Sequence, residues 1–435
     1  TAHGRRSWYN LVLSSKLVQE SQAGQADGAF IEARLYDAKQ MPEGDCEEGD
    51  TTVNFNTVEQ TSDGGFIASF SLNNGWPALH NAGLLKLNAD HSMNWAYLYL
   101  GDNQLQSNVC DKCSREPVVR QVTEEGVTIG YVLVGTILNN PSTGATAGCV
   151  VFVDTGGTVL FEASYPDPDD PEYQSIAFTD VRPVRDGFVL TGYRTGRANP
   201  CWTDQVNVDP LHMHIDFTGV EYPGHTAYYL TGKSITSNGL ANFDDSLILH
   251  SWALGFNASP TNAGVVATSI DGTPVWSRGY STALPPGKQA IETQWFQNEP
   301  YVAFGGPCFY AGGSATSFAV LISAGTGAVV ASNHYPSDTG VNSVESLCPR
   351  AGEPGWAIAG HIQNAEGHWI SVVDPWLMND CESPLRIESA EISIKRVGFS
   401  LTPMYEDVVY KPCLTESTVE LDQETCEVLQ RRAAP

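Results

Sequence analysis

Residues 58–72 read VEQTSDGGFIASFSL, and residues 83–99 read GLLKLNADHSMNWAYLY. The first stretch is two short β-prone runs joined across Asp63-Gly64-Gly65. The second is two more runs joined across Asn88-Ala89-Asp90. Glycine tolerates the positive φ of a tight turn, so each stretch reads as a hairpin, and the pair supplies four strands.

The same two-part pattern recurs downstream. VVRQVTEEGVTIGYVLVGT from Val118 is followed by GCVVFVDTGGTVLFEASY up to Tyr165. FTDVRPVRDGFVLTGYRTG from Phe178 is followed by LHMHIDFTGVEYPGHTAYY up to Tyr229. GLANFDDSLILHSWALG from Gly239 leads to AGVVATSIDGTPVWSRGY up to Tyr280, and AIETQWFQNEPYVAFGG from Ala290 leads to SFAVLISAGTGAVVASNHY up to Tyr335. A sixth copy reads VNSVESLCPRAGEPGWAIAGH from Val341, then GHWISVVDPWLMNDC up to Cys381. A repeat of roughly 50–65 residues fits one propeller blade with loop insertions. Runs such as CVVFV (149–153) and FAVLI (318–322) do not alternate, as expected of strands covered on both faces. One copy cannot cover both faces alone; siblings stacked in a ring can.

The expected fold is therefore all-β, a β-propeller of seven four-stranded blades. Residues 51–381 form six repeats, 1–50 an N-terminal strand segment, and 382–435 C-terminal strands with a disulfide-linked tail. WYNLVL (8–13) and GAFIEARLY (28–36) at one end, with RIESAEISIKRVGFSL (386–401) and DVVYK (407–411) at the other, are strand-like. They suit a composite seventh blade. The alternative is six blades with spare terminal strands able to pair with another molecule.

The stretches LLKLNADHSMNW, ATSIDGTPVW and LISAGTGAVV resemble the blades of extracellular propellers of the quinoprotein-like (PQQ-like) type, over about residues 54–380. That resemblance implies the fold, and it covers both quinone-dependent dehydrogenases and scaffold proteins without chemistry. The enzymes place an adjacent Cys-Cys pair beside the cofactor, and this chain has no adjacent cysteines.

Composition narrows the function classes. Hydrophobic residues make up 42% of the 435, enough for a large core, while charged residues are only 17%. The net charge of −27 provides no basic footprint for nucleic acid and disfavours anionic membrane surfaces. No apolar run is long enough to span a bilayer, so membrane insertion is not expected. Numbering begins at Thr1 without a signal-peptide pattern, which implies processing or trimming. Ten cysteines, Cys46, Cys110, Cys113, Cys149, Cys201, Cys308, Cys348, Cys381, Cys413 and Cys426, are even in number and scattered. They read as disulfides of a secreted or cell-surface protein.

Candidate sites each carry a plainer alternative. Asp167, Asp169 and Asp170 cluster in one acidic loop and are the candidate calcium ligands, calcium being the only cofactor the chain suggests. The plainer reading is a solvated loop, and the same holds for EGDCEEGD (43–50). His212 and His214 alternate along a strand and share a face, the arrangement of two transition-metal ligands, with His225 the only guess at a third. Asp63, Asp90, Asp154, Asp186, Asp244, Asp245 and Asp271 offer paired carboxylates for glycoside hydrolysis, yet most sit where turns need an Asx cap. Tyr99, Tyr165, Tyr280 and Tyr335, with Trp95, Trp276, Trp356 and Trp369, read as packing residues, whereas Trp76 and Trp202 lie between strands and suit sugar stacking. Asn257-Ala258-Ser259 is the one N-glycosylation pattern.

No catalytic motif emerges. The leading expectation is a non-enzymatic extracellular structural or adhesive propeller, a subunit of a surface filament or other assembly. It would self-associate through Ser7–Leu13 or Glu391–Leu401, and deleting either should stop assembly and leave the monomer folded. The alternatives are a lectin-like propeller that binds glycans through loop aromatics, and a propeller enzyme acting on glycans or with a quinone.

Overall fold

In a computed structural model the protein is all-β, with strands and turns but no helix among the described residues. These are residues 11–12, 31–38, 52–73, 80–90, 92–100, 105–106, 117–140, 145–167, 175–195, 208–230, 235–244, 247–254, 263–281, 290–296, 299–309, 315–335, 342–349, 355–362, 367–378, 383–384, 388–391, 395–398, 401, 404–405, 409–412 and 414–421.

The first module is an antiparallel meander of Thr52–Gln60, Phe66–Asn73, His80–Leu87 and Met93–Leu100. The same four-strand order recurs in the second module (Val118–Glu124 to Val159–Tyr165), the third (Ser175–Val184 to Ala227–Leu230), the fourth (Ile235–Asp244 to Pro274–Ser281) and the fifth (Ala290–Phe296 to Val329–Tyr335). The sixth has three described strands, Asn342–Pro349, Trp356–Ile362 and Gly367–Val373. Among the described strands no sheet closes on itself.

By internal contacts the chain divides into two compact units. One comprises Thr1–Leu138, Val151–Glu162 and Glu406–Thr425; the other comprises Asn139–Val150, Ala163–Tyr405 and Cys426–Pro435. In the second unit the first strands stack serially: Ser175–Val184 on Ile235–Asp244, that strand on Ala290–Phe296, and that one on Asn342–Pro349. In the first unit Thr52–Gln60 packs on Val118–Glu124. Four first strands carry one extra residue at a register shift, at Phe55/Thr57, Phe178/Asp180, Ser237/Gly239 and Val344/Ser346, whereas in the second module the extra residue, Ile129, is on the second strand. Such a bulge bends the strand and re-aims its side chains.

The unbroken apolar runs are buried on both faces. Every residue of Ala263–Thr268 is buried, as are Cys149 to Val153 and Phe318 to Ile322. Neighbouring modules are then joined by a repeated polar contact. Tyr99, Tyr165, Tyr229 and Tyr280 close the fourth strands and are fully buried. Each donates its hydroxyl to a turn-glycine carbonyl of the following module: Gly157 (3.1 Å), Gly219 (2.6 Å), Gly272 (2.8 Å) and Gly327 (2.7 Å). A buried phenol needs such an acceptor, and here the acceptor fixes the spacing between modules. Asn333 takes the role in the fifth module, donating to Leu377 O at 2.8 Å.

Three of the receiving turns follow one design. Asp154, Asp216 and Asp374 each accept from the backbone N–H two and four residues on. The turn then passes through a left-handed residue. At Gly272 (φ +75°) a Cβ would come within 2.8 Å of the His212 ring. In the sixth module Leu377 (φ 65°) occupies that place, and its fully buried side chain offsets the roughly 1–2 kcal/mol cost of the conformation.

The terminal strands differ from the expectation. RIESAEISIKRVGFSL does not form one strand of a closing sheet. It breaks into Glu388–Glu391 on the fourth module and Lys395–Gly398 on the third. Ser383–Pro384 pairs with the fifth module, Met404–Tyr405 with the second, and Val409–Pro412 with the first. The C-terminal region is thus a strap that adds one antiparallel strand to the outer edge of five successive modules, in reverse order. Beyond it Leu414–Leu421 pairs over its whole length with Ile31–Ala38, which also pairs with Leu11–Val12. A strap made of short edge strands is a backbone device, and side-chain patterning in the sequence does not signal it.

Candidate functional site

The densest set of titratable side chains lies where the third module meets the fourth. His212 and His214 stand two residues apart on Val208–Asp216 and share a face, but they do not act as a pair. His212 Nδ1 is 3.2 Å from His250 Nε2, on the fourth module's Leu247–Leu254 strand. His212 Nε2 is 3.0 Å from Ile270 O. A carbonyl only accepts, so His212 carries its proton on Nε2 and turns its Nδ1 lone pair to His250 Nε2, which also lies 3.2 Å from Thr268 Oγ1. His250 Nδ1 is 3.0 Å from Thr191 Oγ1. His212 and His250 are fully buried, and burial pushes both below the ordinary imidazole range, His212 to about 3.

His214 turns to a different set. Its Nδ1 lies 3.0 Å from His225 Nδ1, so only one of the two nitrogens holds a proton. Its Nε2 is 3.3 Å from Asp186 Oδ1, close enough for attraction but without hydrogen-bond geometry. The Tyr222 ring stacks on it at 4.2 Å. Burial holds His214 low, at about 4, against the raising effect of Asp186. The expected third partner, His225, therefore is present, but it meets one histidine and not both. Among the described residues no cluster of three or more His, Cys, Asp or Glu side chains is arranged to hold a metal. His250 was not legible as a partner, because thirty-eight residues and a strand crossing separate it from His212.

The loop carrying Tyr222 and His225 is the strap's anchorage. Arg396 on the strap donates to Gly224 O (2.7 Å), Asp271 O (2.8 Å) and Gly272 O (3.2 Å), so one guanidinium ties the strap to two modules. Leu401 N donates to Glu221 Oε2 at 2.7 Å. A second tie crosses the first strands, where Arg182 of the third module bonds Leu240 O of the fourth and pairs with Glu292 of the fifth.

The remaining sequence candidates fall as follows. Asp167 is fully buried and engaged on both carboxylate oxygens by Arg194, which leaves it no open face for calcium. Asp169 and Asp170 lie outside the described residues, as do Trp76, Trp202, Asn257 and Asp245. Asp63, Asp90, Asp154 and Asp271 accept from turn N–H groups, and Asp63 also pairs with buried Lys86 at 2.9 Å. Trp95, Trp276 and Trp356 donate to the turn carbonyls of Thr155, Ala324 and Pro375. Cys149 is fully buried on the strand Ala145–Val153. Cys308 and Cys348 lie on strands, and the other seven lie outside the described residues.

Arg194 sits among Asp167, the half-buried Asp209 and the Tyr228 ring, whose centroid is 5.0 Å away. Burial raises the Asp209 carboxyl, and Arg194 opposes that rise. Replacing Arg194 with Leu should cost about 3–5 kcal/mol, because a buried carboxylate is left without its cation. The double replacement Asp167→Leu/Arg194→Leu should recover most of that loss. Urea denaturation of the three proteins checks this, and equal losses in the single and double variants would contradict it.

No protein-family model and no curated protein matches this chain.

Proposed function

We propose that this chain is a non-enzymatic, secreted β-propeller of seven blades that serves as a structural or adhesive subunit of a surface assembly. The observation that carries the reading is the pairing of Ile31–Ala38 with Leu414–Leu421, eight residues on each side. Strands from opposite ends of the chain, joined in one sheet, are what a composite closing blade requires. The polar chemistry of the modules supports a scaffold. Asp63, Asp90, Asp154 and Asp271 cap turns, Arg182 and Arg396 tie modules together, and His212 pairs with His250 and His214 with His225. The acidic surface suits an exposed, soluble particle.

Electron microscopy of the purified chain tests both parts. The expected images are seven-bladed wheels that build ordered assemblies as concentration rises. Dispersed particles from the intact chain at every concentration would remove the assembly reading, and top views without a wheel would remove the propeller.

A further inference from the structure

We infer that the partner in self-association is a second copy of this chain, and that the exchanged element is the C-terminal strap. This rests on the assembly reading above and names the part that performs it. The outer strands Met93–Leu100, Val159–Tyr165, Ala227–Leu230, Pro274–Ser281 and Val329–Tyr335 are sheet edges, each with a row of N–H and C=O groups that must be paired or guarded. Each receives a strand of only two or four residues. None of those five strands belongs to the four-strand meander that it completes. The whole series follows the last module in sequence, so it can leave its own modules without breaking any hairpin.

Nothing in the pairing identifies whose strap lies on an edge. The rungs are main-chain bonds. The side-chain ties are Arg396 to three backbone carbonyls and the Leu401 amide to Glu221, and every copy offers the same partners. A strap laid on a neighbour makes each of these contacts unchanged, so exchange needs no new interface and is favoured by concentration alone. Contacts of two to four rungs are individually weak, which allows one strap to displace another a sheet at a time. Arg396 sets the register, because it fits only where the third module's Gly224 and the fourth module's Gly272 lie side by side. Reciprocal exchange closes a dimer; one-way exchange extends a chain of copies.

The test is disulfide trapping on the full-length chain. Ser281 and Glu388 are register partners between the fourth module and the strap. One tagged copy carries Ser281→Cys and a differently tagged copy carries Glu388→Cys. They are refolded together at the concentration at which assemblies form, then oxidised. The expected product is a disulfide-linked species bearing both tags, at least tenfold above that from copies without the new cysteines. A single chain carrying both substitutions serves as the internal reference. If that chain cross-links only within itself and the mixed-tag species stays at background while assemblies are visible, the strap does not exchange. The inference then falls and the proposed function stands. If no assemblies form at all, both fall.

Discussion

Ending the chain after Met378 is expected to abolish the cooperative folded state, not merely to lower its stability. The truncation strips the added strand from five sheets, removes Leu414–Leu421 from Ile31–Ala38, and leaves Gly224, Asp271 and Gly272 without Arg396. A backbone hydrogen bond contributes about 0.5–1.5 kcal/mol net, so two to four rungs stabilise each module by roughly 1–6 kcal/mol. Summed over five modules this rivals the whole stability of a typical domain, about 5–15 kcal/mol. The bare outer strands would then be free to pair with one another, so aggregation should follow. Thermal melts by circular dichroism, with light scattering, measure both effects. A truncated chain that melts within a few degrees of the intact one and stays monodisperse would show the strap to be dispensable. This revises the expectation for Glu391–Leu401. Since Glu388–Glu391 and Lys395–Gly398 lie on the chain's own sheets, their deletion should damage the fold as well as assembly.

Acid should unfold the protein between about pH 6.5 and 4. His212, His214 and His250 are held below their ordinary value of 6.5, chiefly by burial, His214 at about 4 and His212 at about 3. Above pH 6.5 these groups are neutral folded or unfolded and do not affect the balance. Below it the unfolded chain takes up protons that the folded chain refuses, so stability falls with pH until the folded values are reached. Each histidine contributes a slope of about 1.4 kcal/mol per pH unit, and the three together about 4. Over one or two pH units that approaches the entire stability of a domain. Urea unfolding across this range should show the slope, and His214→Gln should reduce it by about 1.4 kcal/mol per pH unit. An unaltered slope in that variant would mean that His214 is open to protonation in the folded state.

Much of the architecture was legible from local signals. Asp63-Gly64-Gly65 and Asp186-Gly187 mark hairpin turns because few other residues tolerate them. CVVFV and FAVLI announced strands covered on both faces, and they are so buried. Tyr99, Tyr165 and Tyr280 were legible as packing residues, though not as donors to the next module's turn. The site was far less legible. The shared face of His212 and His214 follows from strand alternation, but their separation into two pairs depends on His250 and His225, which other elements deliver. Asp167 was conspicuous as part of an acid cluster, and Arg194, which engages it, gave no sign of doing so.

By itself the sequence determined the module: its four strands and its turns. These are properties of neighbouring residues, where turn chemistry and hydrophobic pattern act over a few positions. Only the tertiary structure decided where the C-terminal strands lie, which histidines meet, and which cation neutralises Asp167. Backbone edges accept any short strand whatever its side chains, and ion pairs form between residues that only folding brings close. Pairings of that kind leave no mark in the local order of amino acids.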